Sequence, residues 1–527
     1  MTVRTRFAPS PTGHVHIGNM RAAIYNWLYA RHCGGQFLLR VEDTDRERST
    51  QAAIDTLLEA MDWLGLDYDE QACYQSKQLD AHLAAAQKLT DKGLAYRYAK
   101  GEGGEATLFR IPFDCENVPG VNVLGSASTK IHPDEPVCID FTGVRYFGVS
   151  KKGKAVESEC CLAGLKDMKL VDADGNELFS LNENIAAILA GDESFEIKGA
   201  VEMRFTRREI SFEDMVKGRL SKPLDSMKDM VIVRSDGSPV FHIANVCDDV
   251  LQNITHIIRG DDHVENSYRH IFLFHALDYD VPKYGHLPMI VNKQGKPYSK
   301  RDGDAFVGDF RSKGFLGETL FNYLVLLGWS PGDDREVMAR DEMAREFDIE
   351  KVQNSPAQMD LKKLEWMNGE YLRALPAEDF IAGCKANLEA NDVFVDDDAY
   401  LTQVMELVSE RIKLFTETTA QTEFFFSDEF AFDEKAVKKR LQKEGVKETL
   451  EKVRNLLTGL EEFTAESTDD ALHKFVEESG LGFGQVMPPI RIAVSGQGSG
   501  PDLFPLLGVL GRERTLSRID QAIAKFF

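Results

Sequence analysis

Long apolar runs are missing from this 527-residue chain. Nowhere do about 18 consecutive apolar residues occur, so no membrane-spanning helix is expected. The opening Met1-Thr2-Val3-Arg4-Thr5-Arg6 lacks the apolar centre of a signal peptide and reads as a strand. Cysteine is sparse, eight residues scattered over the length, which excludes a disulfide framework and suits reduced thiols in a cytoplasmic protein. Cys115, Cys138 and Cys160-Cys161 are spaced too irregularly for a zinc site, so no structural zinc is expected. Positive charge is in deficit: 62 Lys and Arg against 86 Asp and Glu give a net charge of −24. That deficit does not exclude a nucleic acid, because phosphate contacts are local to one face. Absent too are G-x-G-x-x-G and the Walker A pattern, which removes the ordinary dinucleotide and P-loop readings.

What is present begins as a βαβ unit. Thr2 to Ala8 alternates with the period of a strand, and Pro9-Ser10-Pro11-Thr12-Gly13 punctuates a tight loop. His14-Val15-His16-Ile17-Gly18-Asn19 then enters a helix with Met20, Ala23, Ile24, Trp27 and Leu28 on its apolar side, stopped by Gly34-Gly35. Gln36 to Val41 is a second strand ending in Glu42-Asp43-Thr44-Asp45, and Ser49 or Thr50 caps the next helix. A loop at the carboxyl end of a parallel sheet is where α/β folds bind ligands, and a helix N-terminus there favours a polyphosphate.

A second signal lies far along the chain. After an apolar strand, Leu287 to Val291, residues Asn292-Lys293-Gln294-Gly295-Lys296-Pro297-Tyr298-Ser299-Lys300-Arg301-Asp302-Gly303 form a glycine-punctuated cationic loop. Paired with the His-Ile-Gly turn, it suggests a lid over ATP phosphates.

Together, His16-Ile17-Gly18-Asn19 and Ser299-Lys300-Arg301 resemble the two signatures of class I aminoacyl-tRNA synthetases. Within that class, Arg6-Phe7-Ala8-Pro9-Ser10-Pro11-Thr12-Gly13, Arg40-Val41-Glu42-Asp43-Thr44-Asp45 and Arg259-Gly260-Asp261-Asp262-His263 resemble the bacterial glutamyl-tRNA synthetases. So do Leu327-Gly328-Trp329-Ser330-Pro331-Gly332-Asp333-Asp334 and Gly484-Gln485-Val486-Met487-Pro488-Pro489-Ile490-Arg491.

The resemblance implies ATP-dependent activation of L-glutamate and its transfer to the terminal ribose of tRNA(Glu), with tRNA(Gln) as a second acceptor if the enzyme does not discriminate. By resemblance, His16 and Lys300 are the catalytic residues, and Thr12, Gly18, Asn19, Asp262, His263, Ser299 and Arg301 join them in holding ATP with Mg²⁺. Arg6, Ala8, Ser10, Glu42, Phe241, Asn245 and Arg259 fall on glutamate-facing positions. A guanidinium grips a carboxylate through paired hydrogen bonds, and Glu42 suits the substrate ammonium. Two departures stand out: Phe241 where the family has tyrosine, and Pro297 where its cationic motif opens with lysine.

The implied fold class is α/β, a class I synthetase Rossmann-like catalytic domain with a parallel sheet and an inserted acceptor-binding α+β domain, followed by all-α stem-contact and anticodon-binding domains. The expected divisions are 1–75 and 231–312 for the catalytic halves, 76–230 for the insertion, 313–375 for stem contact and 376–527 for the anticodon. The insertion carries an extra segment at about 113–200, including a hairpin over Lys169 to Leu178 turned by Asp172-Ala173-Asp174-Gly175. Helical spacing recurs from Leu361 to Leu372 and from Tyr400 to Lys413, broken at Leu375-Pro376. A monomer is expected. The competing reading is a repurposed paralogue, a nucleotidyltransferase or RNA-binding protein without aminoacylation; the retained His16, Glu42 and Lys300 and the long helical half argue against it.

Overall fold

The computed structural model describes residues 2–11, 13–45, 49–99 and 104–527. They form two compact units, one of residues 1–308 with 324–359, the other of 309–323 with 360–527.

The first unit is built on a parallel sheet. Arg4–Phe7 pairs with Gln36–Val41, which pairs with Cys73–Tyr74. On its other side, Thr255 N donates to the Arg4 carbonyl at 3.0 Å and brings His256–Gly260 alongside, followed by its parallel partner Lys283–Leu287. Chain order therefore reverses between the first strand and His256–Gly260, and such a switch point opens a crevice at the strands' carboxyl ends. The helix Ile17–His32 packs across this junction: Asn26 Nδ2 donates to the Ile258 carbonyl at 2.8 Å, and Thr5 Oγ1 to that of Asn26 at 2.9 Å. The helix ends because Gly34 takes φ +59°, a turn that residues with a Cβ rarely make. Thr50 caps the next helix, Gln51–Trp63, accepting from Ala53 N at 3.2 Å.

The inserted region is joined to this sheet by one long strand, Glu202–Asp214, paired antiparallel with Val121–Lys130, Leu165–Val171 and Gly218–Pro223. Its last residue, Asp214, reaches Tyr284 in parallel register, which ties this strand to Lys283–Leu287. Beyond it, Phe195–Ile197, Val137–Asp140, Gly143–Val149 and Ala155–Cys160 form a small antiparallel sheet over a core with Ile139, Val144, Leu165, Met168, Leu181 and Ile188. The hairpin read from Lys169 to Leu178 is present, with Leu170 opposite Phe179. Its turn is closed by Asp172, whose Oδ1 accepts from Asp174 N and Asn176 N at 2.9 and 2.8 Å, an Asx turn.

The second unit is helical, its core including Leu372, Leu401, Val404, Leu450, Leu472, Ile490, Leu506 and Ile519. Asp360 caps Leu361–Ala374, and the chain restarts as Ala377–Ala390 after Pro376.

Two elements differ from the sequence reading. The apolar run Leu287 to Val291 is not one strand: Lys283–Leu287 ends before Pro288, and Ile290–Val291 pairs instead with Ala357–Gln358. Proline has no N–H to continue the ladder. The helix expected from Tyr400 to Lys413 ends at Val408, because the Glu417 carboxylate takes the Lys413 and Leu414 N–H groups at 2.9 and 3.2 Å and draws the chain away.

Candidate functional site

A cavity of about 610 Å³ opens at the switch point. The first strand and its loop contribute Arg6, Ala8 and Ser10; the following helix start, His16, Gly18 and Asn19; the second strand's end, Glu42. Phe241 and Asn245 come from the helix Phe241–Leu251, and Arg259, Asp262 and His263 from the end of His256–Gly260 and the turn beyond it. These twelve residues, separated by up to 257 positions, share one wall. Thr12 lies outside the described residues. Ser299, Lys300 and Arg301 are not brought to the wall; from their loop Pro297 and Tyr298 are.

Under the cavity lies an ion network whose centre the motifs did not reveal. Asp249 Oδ1 accepts from Arg6 Nε at 2.9 Å and from Arg40 Nη1 at 2.6 Å, and all three side chains are buried. Arg40 also reaches Glu42 Oε1 at 3.4 Å. Against burial, which acts to raise it, Arg40 and Arg6 hold the Asp249 carboxyl below its ordinary pKa. Glu42 goes the other way: burial raises it more than Arg40, Arg6 and the Asn245 amide lower it. Asn245 Nδ2 donates to Glu42 Oε1 at 3.0 Å, while its Oδ1 is buried and has no partner among the described residues. Glu42 and Asn245 thus offer acceptors to a cation.

Arg259 supplies the opposite pole. Among the described residues it makes no ion pair; Nη2 donates to Ser267 Oγ at 2.7 Å and Nε to His286 Nε2 at 3.5 Å. Burial brings its pKa down to about 10. A buried guanidinium without an anion is costly, so the site is prepared for one.

The third feature is the His16 turn. His16 Nδ1 accepts from Gly18 N at 3.0 Å, capping the helix, which leaves Nε2–H to donate to the Tyr298 carbonyl at 3.2 Å. A Cβ at Gly18 would stand 3.2 Å from His16 Nδ1, tighter than side chains ordinarily approach. Burial lowers the His16 pKa, keeping the ring neutral. The cationic loop is tied to this turn at both ends, by Tyr298 and by Ile17 N to the Ala305 carbonyl at 3.0 Å. Asp302 shapes its tip, accepting from Ser299 N and Oγ at 3.0 and 2.9 Å. Lys300 is exposed, its Nζ 5.8 Å from the Phe306 ring centroid, and that ring packs against His14 and His16. The loop therefore carries Lys300 near the helix N-terminus without putting it on the cavity wall.

Other groups escaped the motifs. His242 Nδ1 and His270 Nε2 lie 3.2 Å apart behind Phe241, and burial lowers both, His242 to about 4. Arg40 and Asp249 had a readable signal: charges inside the apolar runs Phe37 to Val41 and Val246 to Leu251 imply buried partners.

A family model for "tRNA synthetases class I (E and Q), catalytic domain" matches residues 2–102 and 151–366, and one for "Anticodon binding domain" matches 376–523. The glutamate–tRNA ligase of Nitratidesulfovibrio vulgaris strain Hildenborough is 36% identical over 524 residues, covering 99% of each chain. That of Xylella fastidiosa strain M12 is 36% identical over 525 residues, covering 100% of this chain and 99% of its own. Among solved structures, a glutamate tRNA ligase from Elizabethkingia meningosepticum, in complex with its amino acid, has a TM-score of 0.73 at 27% identity and 100% coverage of both chains. With its switch-point cavity, its His16 turn and these end-to-end matches, the chain belongs to the class I tRNA synthetases of the E and Q group, in the company of the glutamate–tRNA ligases.

Proposed function

We propose that the cavity is where this glutamate–tRNA ligase activates its amino acid. The observation that carries this reading is one cavity wall with two charge poles: Arg259, buried with no ion-pair partner among the described residues, and Glu42 with the Asn245 amide. An α-amino acid with a carboxylate side chain answers both. Arg259, with Arg6 beside it, takes the side-chain carboxylate, and Glu42 takes the ammonium. Ala8 and Ser10 line the substrate's path, and Phe241 contributes an apolar surface.

The α-carboxylate attacks the α-phosphate of ATP, forming glutamyl-adenylate and releasing pyrophosphate; the terminal ribose hydroxyl of tRNA(Glu) then attacks the adenylate and AMP leaves. Neither step needs a covalent enzyme intermediate, so alignment and charge stabilisation carry the catalysis. Gly18 and Asn19 hold the nucleotide at the helix N-terminus, joined by Asp262 and His263, and Thr12 is assigned to ATP by the family resemblance alone. His16 Nε2–H would exchange the Tyr298 carbonyl for a phosphate oxygen. Ser299, Lys300 and Arg301 close from the loop, and the Lys300 ammonium neutralises charge gathering as pyrophosphate departs. Bound together with ATP, Mg²⁺ would supply charge neutralisation at the triphosphate. The helical second unit reads the anticodon.

The test is charging of tRNA(Glu) with labelled glutamate, ATP and magnesium, with tRNA(Gln) assayed separately. Charging of tRNA(Glu) is the expected result, and the second tRNA reads discrimination. A folded, ATP-binding protein that charges neither tRNA would overturn the proposal.

A further inference from the structure

The reading of Arg259 as the carboxylate-binding group leaves a question of chemistry: what keeps a buried guanidinium in place without neutralising it? Its contacts go to Ser267 Oγ at 2.7 Å, the His263 carbonyl at 3.4 Å and His286 Nε2 at 3.5 Å. None of these carries a negative charge. His286 is in turn held by Asp214, the last residue of the long strand of the insertion: His286 Nδ1 lies 2.6 Å from Asp214 Oδ2, and both side chains are fully buried. Asp214 is itself fixed by three backbone donors, Val216 N, Lys217 N and His286 N, on Oδ1 at 3.0, 2.9 and 3.1 Å. Lys217 ties the same turn to Asp261 at 3.0 Å, next to the cavity.

We propose that Asp214 is a positioning residue for amino-acid selection, holding His286 as its Nδ1–H tautomer so that Nε2 accepts from Arg259 and Ser267 and the guanidinium keeps its charge for the substrate. An ionised carboxylate only accepts, so the imidazole proton facing it must sit on Nδ1, and Nε2 presents its lone pair. Ser267 Oγ, which accepts from Arg259 Nη2, can then donate to Nε2 at 3.0 Å. The imidazole acts as a spacer. A carboxylate touching Arg259 directly would form an ion pair and compete with the substrate; an imidazolium would repel it. Both groups hold the required charge state. Burial and the neighbouring Arg259 keep His286 neutral despite Asp214, and His286 with the backbone donors keeps Asp214 ionised despite burial. The insertion, whose own strands lie outside the cavity wall, thereby helps set the cavity's selectivity.

The test is Asp214→Asn in the full chain. Asn keeps an oxygen for the three backbone donors but turns an N–H toward His286 Nδ1, which must then accept, moving the ring proton to Nε2 against the Arg259 Nε–H. In aminoacylation of tRNA(Glu), KM for glutamate rises roughly 10- to 100-fold, the range a hydrogen bond to a charged group carries, while KM for ATP and the melting temperature stay near those of the parent. The double variant Asp214→Asn/His286→Gln recovers most of the loss, because a Gln carbonyl oxygen can occupy the Nε2 position and accept without help from residue 214. An unchanged KM for glutamate in Asp214→Asn, equal rises for glutamate and ATP, or a double variant worse than the single would each overturn the proposal. Arg259→Ala, measured alongside, separates the two readings: if it leaves KM for glutamate unchanged, the carboxylate assignment itself fails; if it raises KM and Asp214→Asn does not, only the positioning role fails.

Discussion

Asp249→Asn is the substitution whose cost the structure defines most sharply. The side chain keeps its shape and loses one charge. Its Oδ1 serves Arg6 at 2.9 Å and Arg40 at 2.6 Å, and none of the three side chains is more than 4% exposed. Removing the anion leaves two buried guanidiniums to share Glu42, 3.4 Å from Arg40, and Asp248, 4.0 Å from Arg40 and already engaged with His82 at 2.7 Å. Breaking a buried pair in this way costs about 3–5 kcal/mol, because the partner charge stays desolvated. Set against a total stability of roughly 5–15 kcal/mol, that is a large fraction. Urea unfolding followed by hydrogen exchange of the Arg4–Phe7 and Phe241–Leu251 amides reads it. The pH dependence supplies a signature. The Asp249 pKa is depressed, so its contribution is complete above the free carboxylate's value of about 3.9 and disappears only as pH falls through the folded value. The variant should be weakened at neutral pH and converge with the parent in acid. A neutral-pH loss below about 1 kcal/mol, the level of an exposed pair, would refute the claim that Asp249 holds the floor of the site.

Other consequences follow from the same geometry. Lys300→Ala should slow adenylate formation at least about 10²-fold, the scale of a lost charge-stabilising group, while tRNA affinity in a filter-binding assay stays within about twofold; equal losses would make the loop a tRNA contact. Gly18→Ala should raise KM for ATP several-fold with KM for glutamate unchanged, since the added methyl presses on the His16 ring. Asp229 is half-buried, accepting from Ile111 N and Tyr96 Oη at 3.0 Å each, and desolvation pushes its pKa up to about 6. A raised acid favours folding below its unfolded pKa, so stability should decline from about pH 4 to 6, by about 3 kcal/mol at most. Asp229→Asn should flatten that slope in urea melts across pH. Asp360→Ala removes the acceptor for Lys362 N and Lys363 N and should destabilise the helical unit by about 1 kcal/mol, read as a shift of its denaturation midpoint.

The chemistry legible in the sequence was local chemistry. The strand–turn–helix around His16, the Ser299-Lys300-Arg301 loop and the hairpin at Asp172 each lie within a few residues, where spacing alone constrains geometry. Arg6, Glu42, Asn245 and Arg259 could be assigned to one pocket only through the family resemblance, because they meet across more than 200 positions. Asp249 with Arg40, and Asp214 with His286, are pairs made by tertiary closure over 209 and 72 positions. Asp249 sits inside the apolar run Val246 to Leu251, which marks it for burial, but the two arginines it meets lie too far along the chain to be named from spacing. The strand break at Pro288 was readable from proline's missing donor, whereas the end of the helix at Val408 depends on a side chain nine residues later, Glu417.

The central claim is that a charge pair on one cavity wall selects the amino acid. The most direct measurement is the ratio of kcat/KM for glutamate over glutamine in charging tRNA(Glu), for the parent and Arg259→Ala. Glutamine would leave the guanidinium buried without an anion, so the parent ratio should exceed about 10², and Arg259→Ala should collapse it toward one. A parent ratio near one, or a ratio that survives loss of Arg259, would contradict the account.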